Sequence, residues 1–146
     1  MQDFRKLEVW QRAYNLTIQV YRATRSMPAE EKYGLVSQMR RCSVSIPANI
    51  AEGCGRETRA DLKRFLHIAM GSASELECQL LLAADLDFMN SNVVNELIKH
   101  LTTTKKMLNA LIRRIKVEIT ASVRENQQPC RSHQSPTTTY QELTTR

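Results

Sequence analysis

Between residues 4 and about 119, apolar side chains recur at steps of three and four, a period that only an α-helix gathers onto one face. Leu62, Leu66, Ala69, Ala73, Leu76, Leu80 and Ala83 form one seam. Val94, Leu97, Leu101, Leu108, Leu111/Ile112, Ile115 and Ile119 form a second, and Leu35, Met39, Cys42, Ile46 and Ile50 a third. These seams predict helices over about 4–25, 29–52, 58–86 and 91–119. Ser26-Met27-Pro28, the pair Gly53 and Gly55, and Asn90-Ser91-Asn92 supply the breaks. Thr58, with Asp61 three residues later, makes an approximate capping box, and Ser91 or Asn92 is placed to cap the last helix. Only four glycines occur in 146 residues, too few for a glycine-looped nucleotide fold or a turn-rich sandwich. The expected fold is all-α: an antiparallel up-and-down four-helix bundle over residues 1–120.

From Ala121 the period stops. The stretch ASVRENQQPCRSHQSPTTTYQELTTR is rich in serine and threonine and nearly devoid of large aliphatics. It buries too little apolar surface to offset its ordering entropy, so residues 121–146 are expected to form a disordered C-terminal tail. The longest apolar run, Leu80 to Ala84, cannot cross a bilayer, so no membrane partner is expected. Asp3, Arg5, Lys6 and Glu8 interrupt any signal-like segment, which makes the cytoplasm the expected location.

Lysine and arginine total 21 against 15 aspartates and glutamates, a net charge of +6 that permits phosphate-rich partners without requiring them. Cys42, Cys54, Cys78 and Cys130 form no CxxC pair, and His67, His100 and His133 share no metal-ligand spacing. No metal and no cofactor are expected. Cys42 and Cys78 read as small core residues.

The first helix carries more apolar surface than one core can cover. Leu7, Trp10, Ala13, Tyr14, Leu16, Thr17, Ile18, Val20 and Tyr21 spread over roughly 200° of its circumference. Trp10, Tyr14 and Tyr21 crowd one edge, where large amphipathic rings suit a subunit interface. Rings leaning over the core rim are the plainer alternative.

The second helix bears a polar stripe, Gln38, Arg41, Ser45, Asn49 and Glu52, beside its seam, with Pro47 inside the same helix. Proline lacks an N–H and crowds the carbonyl of Ser43, so a kink or restart is expected there. On the third helix, Ser72, Glu75 and Gln79 make a second polar stripe beside a run of small residues. A buried pair of Glu75 with Arg41 or Arg40 is expected, with Arg41, Ser45, Asn49, Glu52, Ser72 and Glu75 as a structural network that fixes register. Glu52 and Glu75 are the alternative acid–base pair. Neither helix carries Glu-x-x-His and no nucleophile–base pair is evident, so no catalytic residue is assigned and no enzyme is expected.

The runs FRKLEVWQRAYNL, MPAEEKYGLVSQMRRCSVSIPANIAEGCGR and RFLHIAMGSASELECQL resemble the four-helix-bundle family of 23S ribosomal RNA intervening-sequence proteins. The resemblance covers residues 4 to about 119. It rests on Arg41, Ser45, Pro47, Asn49, Glu52, Gly53, Gly55 and Arg56 in the second helix, and on Gly71, Ser72, Glu75 and Glu77 in the third. It implies a small bacterial cytosolic protein forming ring-like homopentamers. A related branch comprises the accessory variability determinants of diversity-generating retroelements, which implies RNA and a reverse transcriptase as partners. Met27 stands where an aromatic is usual, Cys42 replaces a small residue, and the tail is additional.

Between Lys99 and Lys116 there are six basic residues and no acidic one. Lys99, Lys106 and Arg113 are heptad-spaced on the side away from the Leu101/Leu108/Ile115 seam, flanked by Lys105, Arg114 and Lys116. Lysines commonly furnish a solvated outer face. A row without balancing glutamates also suits the phosphates of structured RNA, and without an interleaved aromatic it is unsuited to base stacking. The expected function is therefore a non-enzymatic, homo-oligomeric adaptor binding nucleic acid by backbone charge, beside a reverse transcriptase. A protein-interaction bundle with no nucleic-acid role is the alternative.

Overall fold

The computed structural model describes residues 2–126, which form four long helices. These are α1 (Glu8–Ala23), α2 (Leu35–Cys54), α3 (Arg59–Asp85) and α4 (Ser91–Asn126). Single 3₁₀ turns at Phe4–Lys6, Thr24–Ser26 and Ala29–Glu31 frame α1 and lead into α2. In chain order each helix packs on the next, and α4 closes the square against α1, which puts α2 and α4 on opposite corners. The all-α bundle expected from the seams is the fold observed, with no strand among the described residues.

The core is the seam residues. Leu16, Met39, Ile46, Ile50, Leu66, Leu76, Leu80, Leu101, Leu108 and Ile115 are fully buried. Large side chains meet small ones: Ala13, Ala69, Ala73 and Ala83 are also fully enclosed and let neighbouring helices approach. At Gly53 α2 lies close against α3, where an added Cβ would come within 2.9 Å of Leu62 Cδ1 and 3.0 Å of Phe65 Cβ.

Three boundaries differ from the periodicity. The second helix does not begin at Ala29: a 3₁₀ turn and the non-helical Gly34 intervene. The Glu31 carboxylate then accepts a hydrogen bond from the Leu35 N–H at 3.0 Å and caps α2. The fourth helix continues past Ile119 to Asn126, so residues 121–126, expected in the tail, are helical. No glycine or proline stops it there, and Thr120 and Ser122 hydroxyls bond back to the carbonyls of Lys116 and Glu118. The rest of the expected tail, from residue 127, lies outside the described residues. Finally, α2 runs through Pro47 as one helix. The carbonyl of Ser43 that proline leaves unpaired accepts instead from the Thr17 hydroxyl of α1 at 2.8 Å.

The turn between α3 and α4 is a left-handed C-cap. Asp87 has φ 57°, its N–H donates to Ala84, and the Phe88 N–H donates to Ala83 at 2.9 Å. The N-terminal cap of α3 is as expected, with Thr58 Oγ1 accepting from the Asp61 N–H at 3.0 Å.

Candidate nucleic-acid interface

Lys99, Lys106 and Arg113 lie on the solvent side of α4, and all three are exposed. At 100° per residue they fall within about 40° of each other. The extension of α4 brings Arg124 into the same row, so the charged face spans about 38 Å. Asn95, Thr102, Asn109, Thr120 and the exposed Val117 fill the gaps, and no carboxylate interrupts the row. The acidic residues of α4, namely Glu96, Glu118 and Glu125, sit together about 100° around the helix. Like charges have been sorted onto separate flanks.

The six basic residues are not equivalent. Lys105 turns toward α3 and pairs with Glu77 at 2.6 Å, with both side chains mostly covered. It joins two helices and is not part of a free surface. Lys99 is exposed beside Glu96 at 3.1 Å, and Arg114 lies 3.7 Å from Glu118, which also holds Arg59. Exposed pairs of this kind bind weakly and release readily to a stronger anion. Lys106, Arg113 and Lys116, together with Arg124, have no ion-pair partner among the described residues. The expectation that no glutamate balances this face is therefore corrected: Glu77, Glu96 and Glu118 do so for half of the six. Glu77 was invisible from α4 alone, because it arrives from another helix.

The aromatic edge of α1 is real and partly exposed. Trp10 stacks on Tyr14 with ring centres 5.0 Å apart, and Phe4 tilts against Trp10 at the same separation. Trp10 is the better covered; Tyr14 is 48% and Tyr21 40% exposed. Arg40 lies over the Tyr21 ring at 4.8 Å and donates to Thr24 Oγ1 at 2.9 Å, fastening the last turn of α1 to α2. Val44 on α2, 42% exposed, was not foreseen as exposed apolar surface, because its helix reads as core by period alone.

The polar stripe assembles only in part. Ser45 Oγ and Ser72 Oγ share a hydrogen bond of 2.9 Å across α2 and α3, and Asn49 Nδ2 donates to both the Ser45 carbonyl and Ser45 Oγ. Arg41 and Glu75 are both exposed and do not pair, which corrects the expected buried ion pair. Their spacing placed them on the right helices but on outward-leaning flanks. Glu52 pairs with Arg56 in the turn that follows α2, outside the network. Glu75 lies beside Cys42, ten residues of α2 away from Glu52, or about 15 Å. The two carboxylates are too far apart to act on one atom.

Cys42 and Cys54 are buried and Cys78 is exposed, so the reading of Cys78 as a core residue is corrected. Burial pushes the Cys42 thiol above its ordinary value, with Glu75 adding to the effect; burial does the same for Cys54. Neither is a ready nucleophile at neutral pH. Among the described residues no group of three or more histidine, cysteine, aspartate or glutamate side chains is placed to hold a metal, and no helix is long and apolar enough to cross a membrane.

Comparison with known proteins gives the family. Residues 5–110 match the family described as 23S rRNA-intervening sequence protein. No curated protein matches the chain. A crystal structure of a protein with unknown function from the S23 ribosomal protein family of Bacteroides thetaiotaomicron superposes with a TM-score of 0.67 at 25% identity, covering 71% of this chain and 97% of that one. With the match spanning most of the helical body and the same bundle in a solved relative, the chain belongs to the 23S rRNA-intervening sequence protein family.

Proposed function

We propose that this protein is a cytoplasmic, non-enzymatic, homo-oligomeric adaptor that binds nucleic acid, structured RNA first, through backbone charge on α4. The observation that carries the reading is the sorting of charge on that helix. A row from Lys99 to Arg124 is free of carboxylates, while the acidic residues lie on another flank. A straight row on a rigid helix meets phosphates at fixed spacing, and its lack of aromatics favours contact with the backbone over base stacking. Lys106, Arg113 and Lys116 provide the principal contacts, with Lys99 and Arg114 joining by exchanging carboxylates for phosphates. Lys105 serves the bundle.

Self-association rests on the ridge of Trp10, Tyr14 and Tyr21, which a lone protomer leaves partly in water. The resemblance to accessory determinants of retroelements supports a pentameric ring and a reverse transcriptase as protein partner. Equilibrium binding of a labelled RNA hairpin at about 50–100 mM salt tests the reading, in a regime where electrostatic binding is strong. Submicromolar affinity with little dependence on sequence is expected, and absence of binding overturns it. A protein-interaction bundle without RNA is the second reading, favoured by the exposed apolar surface at Tyr14, Tyr21 and Val44. Co-purification from the native host separates the two: RNA with or without a reverse transcriptase supports the first, protein alone the second.

A further inference from the structure

Two features of the bundle surface are left partly open within a single chain. The first is Gly71, in the middle of the 27-residue α3. Glycine weakens a helix interior, and a Cβ added at this position would meet nothing within 4 Å. Gly53 is different, because there the neighbouring helix fills the space. Gly71 shares an outward stripe about 60° wide with Ile68, Glu75 and Leu82, all exposed. The stripe is apolar at both ends, has a gap at its centre, and holds a carboxylate with no ion-pair partner among the described residues.

The second feature is the ridge of stacked rings on α1. It is bordered by the guanidinium of Arg40, with Arg25 one turn beyond Tyr21. The one acidic residue of α1, Glu8, lies about 140° around the helix from it. The two surfaces match at these points: protruding rings on α1 with Arg40 of α2 and Arg25 of the following turn beside them, and on α3 a gap with a carboxylate that has no ion-pair partner among the described residues.

We propose that these two surfaces meet between copies of this chain, the ridge of one protomer seated on the Gly71 stripe of the next. Tyr14 fills the gap and the cations beside Tyr21 face Glu75. This rests on the homo-oligomer reading above and names its two faces. Because the faces differ, the contact is head-to-tail, the kind that closes into a ring or runs on as a filament. Both faces border α2, and α4 stands on the opposite corner, so the basic row stays outside every interface.

Gly71→Arg and Tyr14→Arg each alter an exposed position, so both variants should fold, as circular dichroism and melting will verify. Light scattering at micromolar concentration should show an assembled wild type and two monomeric variants. An equimolar mixture of the variants should form a two-chain species, because it restores one intact contact and no more. If Gly71→Arg keeps the wild-type mass, the proposal is overturned while the homo-oligomer reading stands. If only Tyr14→Arg dissociates, the ridge meets another ridge and the head-to-tail contact is wrong. A monomeric wild type overturns both.

Discussion

Pro47 removes one N–H from the middle of α2, yet the helix continues because Thr17 reaches across to the orphaned carbonyl of Ser43. Pro47 was plain in the sequence as a defect, but its remedy lies on another helix far earlier in the chain, where no periodicity points. Thr17→Val keeps the shape and removes the donor, leaving a buried carbonyl unpaired. Urea denaturation should show a loss of about 1–2 kcal/mol. Arg41 and Glu75 teach the converse. Their spacing suggested a buried pair whose disruption costs several kcal/mol, but both are exposed and separate. Replacing either with glutamine should change protomer stability by no more than about 0.5 kcal/mol in the same measurement. Spacing assigns a residue to a flank; it does not say which way a long side chain leans.

The bodies of the helices were legible because their apolar seams are long, and each seam residue from Leu62 to Ala83 is buried as its period requires. The ends were less so. α2 starts late, at a cap made by the side chain of Glu31, and α4 ends late because nothing in its sequence stops it at Ile119. That second difference matters for the charged face, since it adds Arg124 to a row otherwise read as ending near Lys116. The turn after α3 holds Asp87 in the left-handed region that favours glycine. Asp87→Gly relieves that strain and is expected to raise stability by about 0.5–1 kcal/mol, read as an upward shift in melting temperature. A drop would mean that the aspartate makes a compensating interaction in the turn.

For the whole molecule, the placement of helices at the four corners of the bundle sets what each surface can do. α4 presents its basic row to solvent with Val93, Val117 and Val123 exposed on the same helix, while α1, α2 and α3 carry the exposed apolar side chains Tyr14, Tyr21, Val44, Ile68 and Leu82. A bundle whose aromatic ridge and Gly71 stripe lie on helices other than the one bearing the basic row can assemble through them without covering its cations. The sequence showed the charge of α4 but not its division of labour, because the partner of Lys105 comes from α3. Counterion release gives the division a measurable form. Each phosphate that the protein ceases to neutralise lowers the slope of log affinity against log salt by about 0.9 on duplex nucleic acid and about 0.7 on a single strand. The direct measurement is that slope for the wild type, for Lys105→Gln, and for the triple variant Lys106→Gln/Arg113→Gln/Arg124→Gln, on the same RNA hairpin. The triple variant should keep its fold and oligomer mass while its slope falls by about two to three units per engaged subunit, and Lys105→Gln should leave the slope unchanged. A triple variant with the wild-type slope, or a wild type that does not bind at about 50–100 mM salt, contradicts the assignment of this face to nucleic acid.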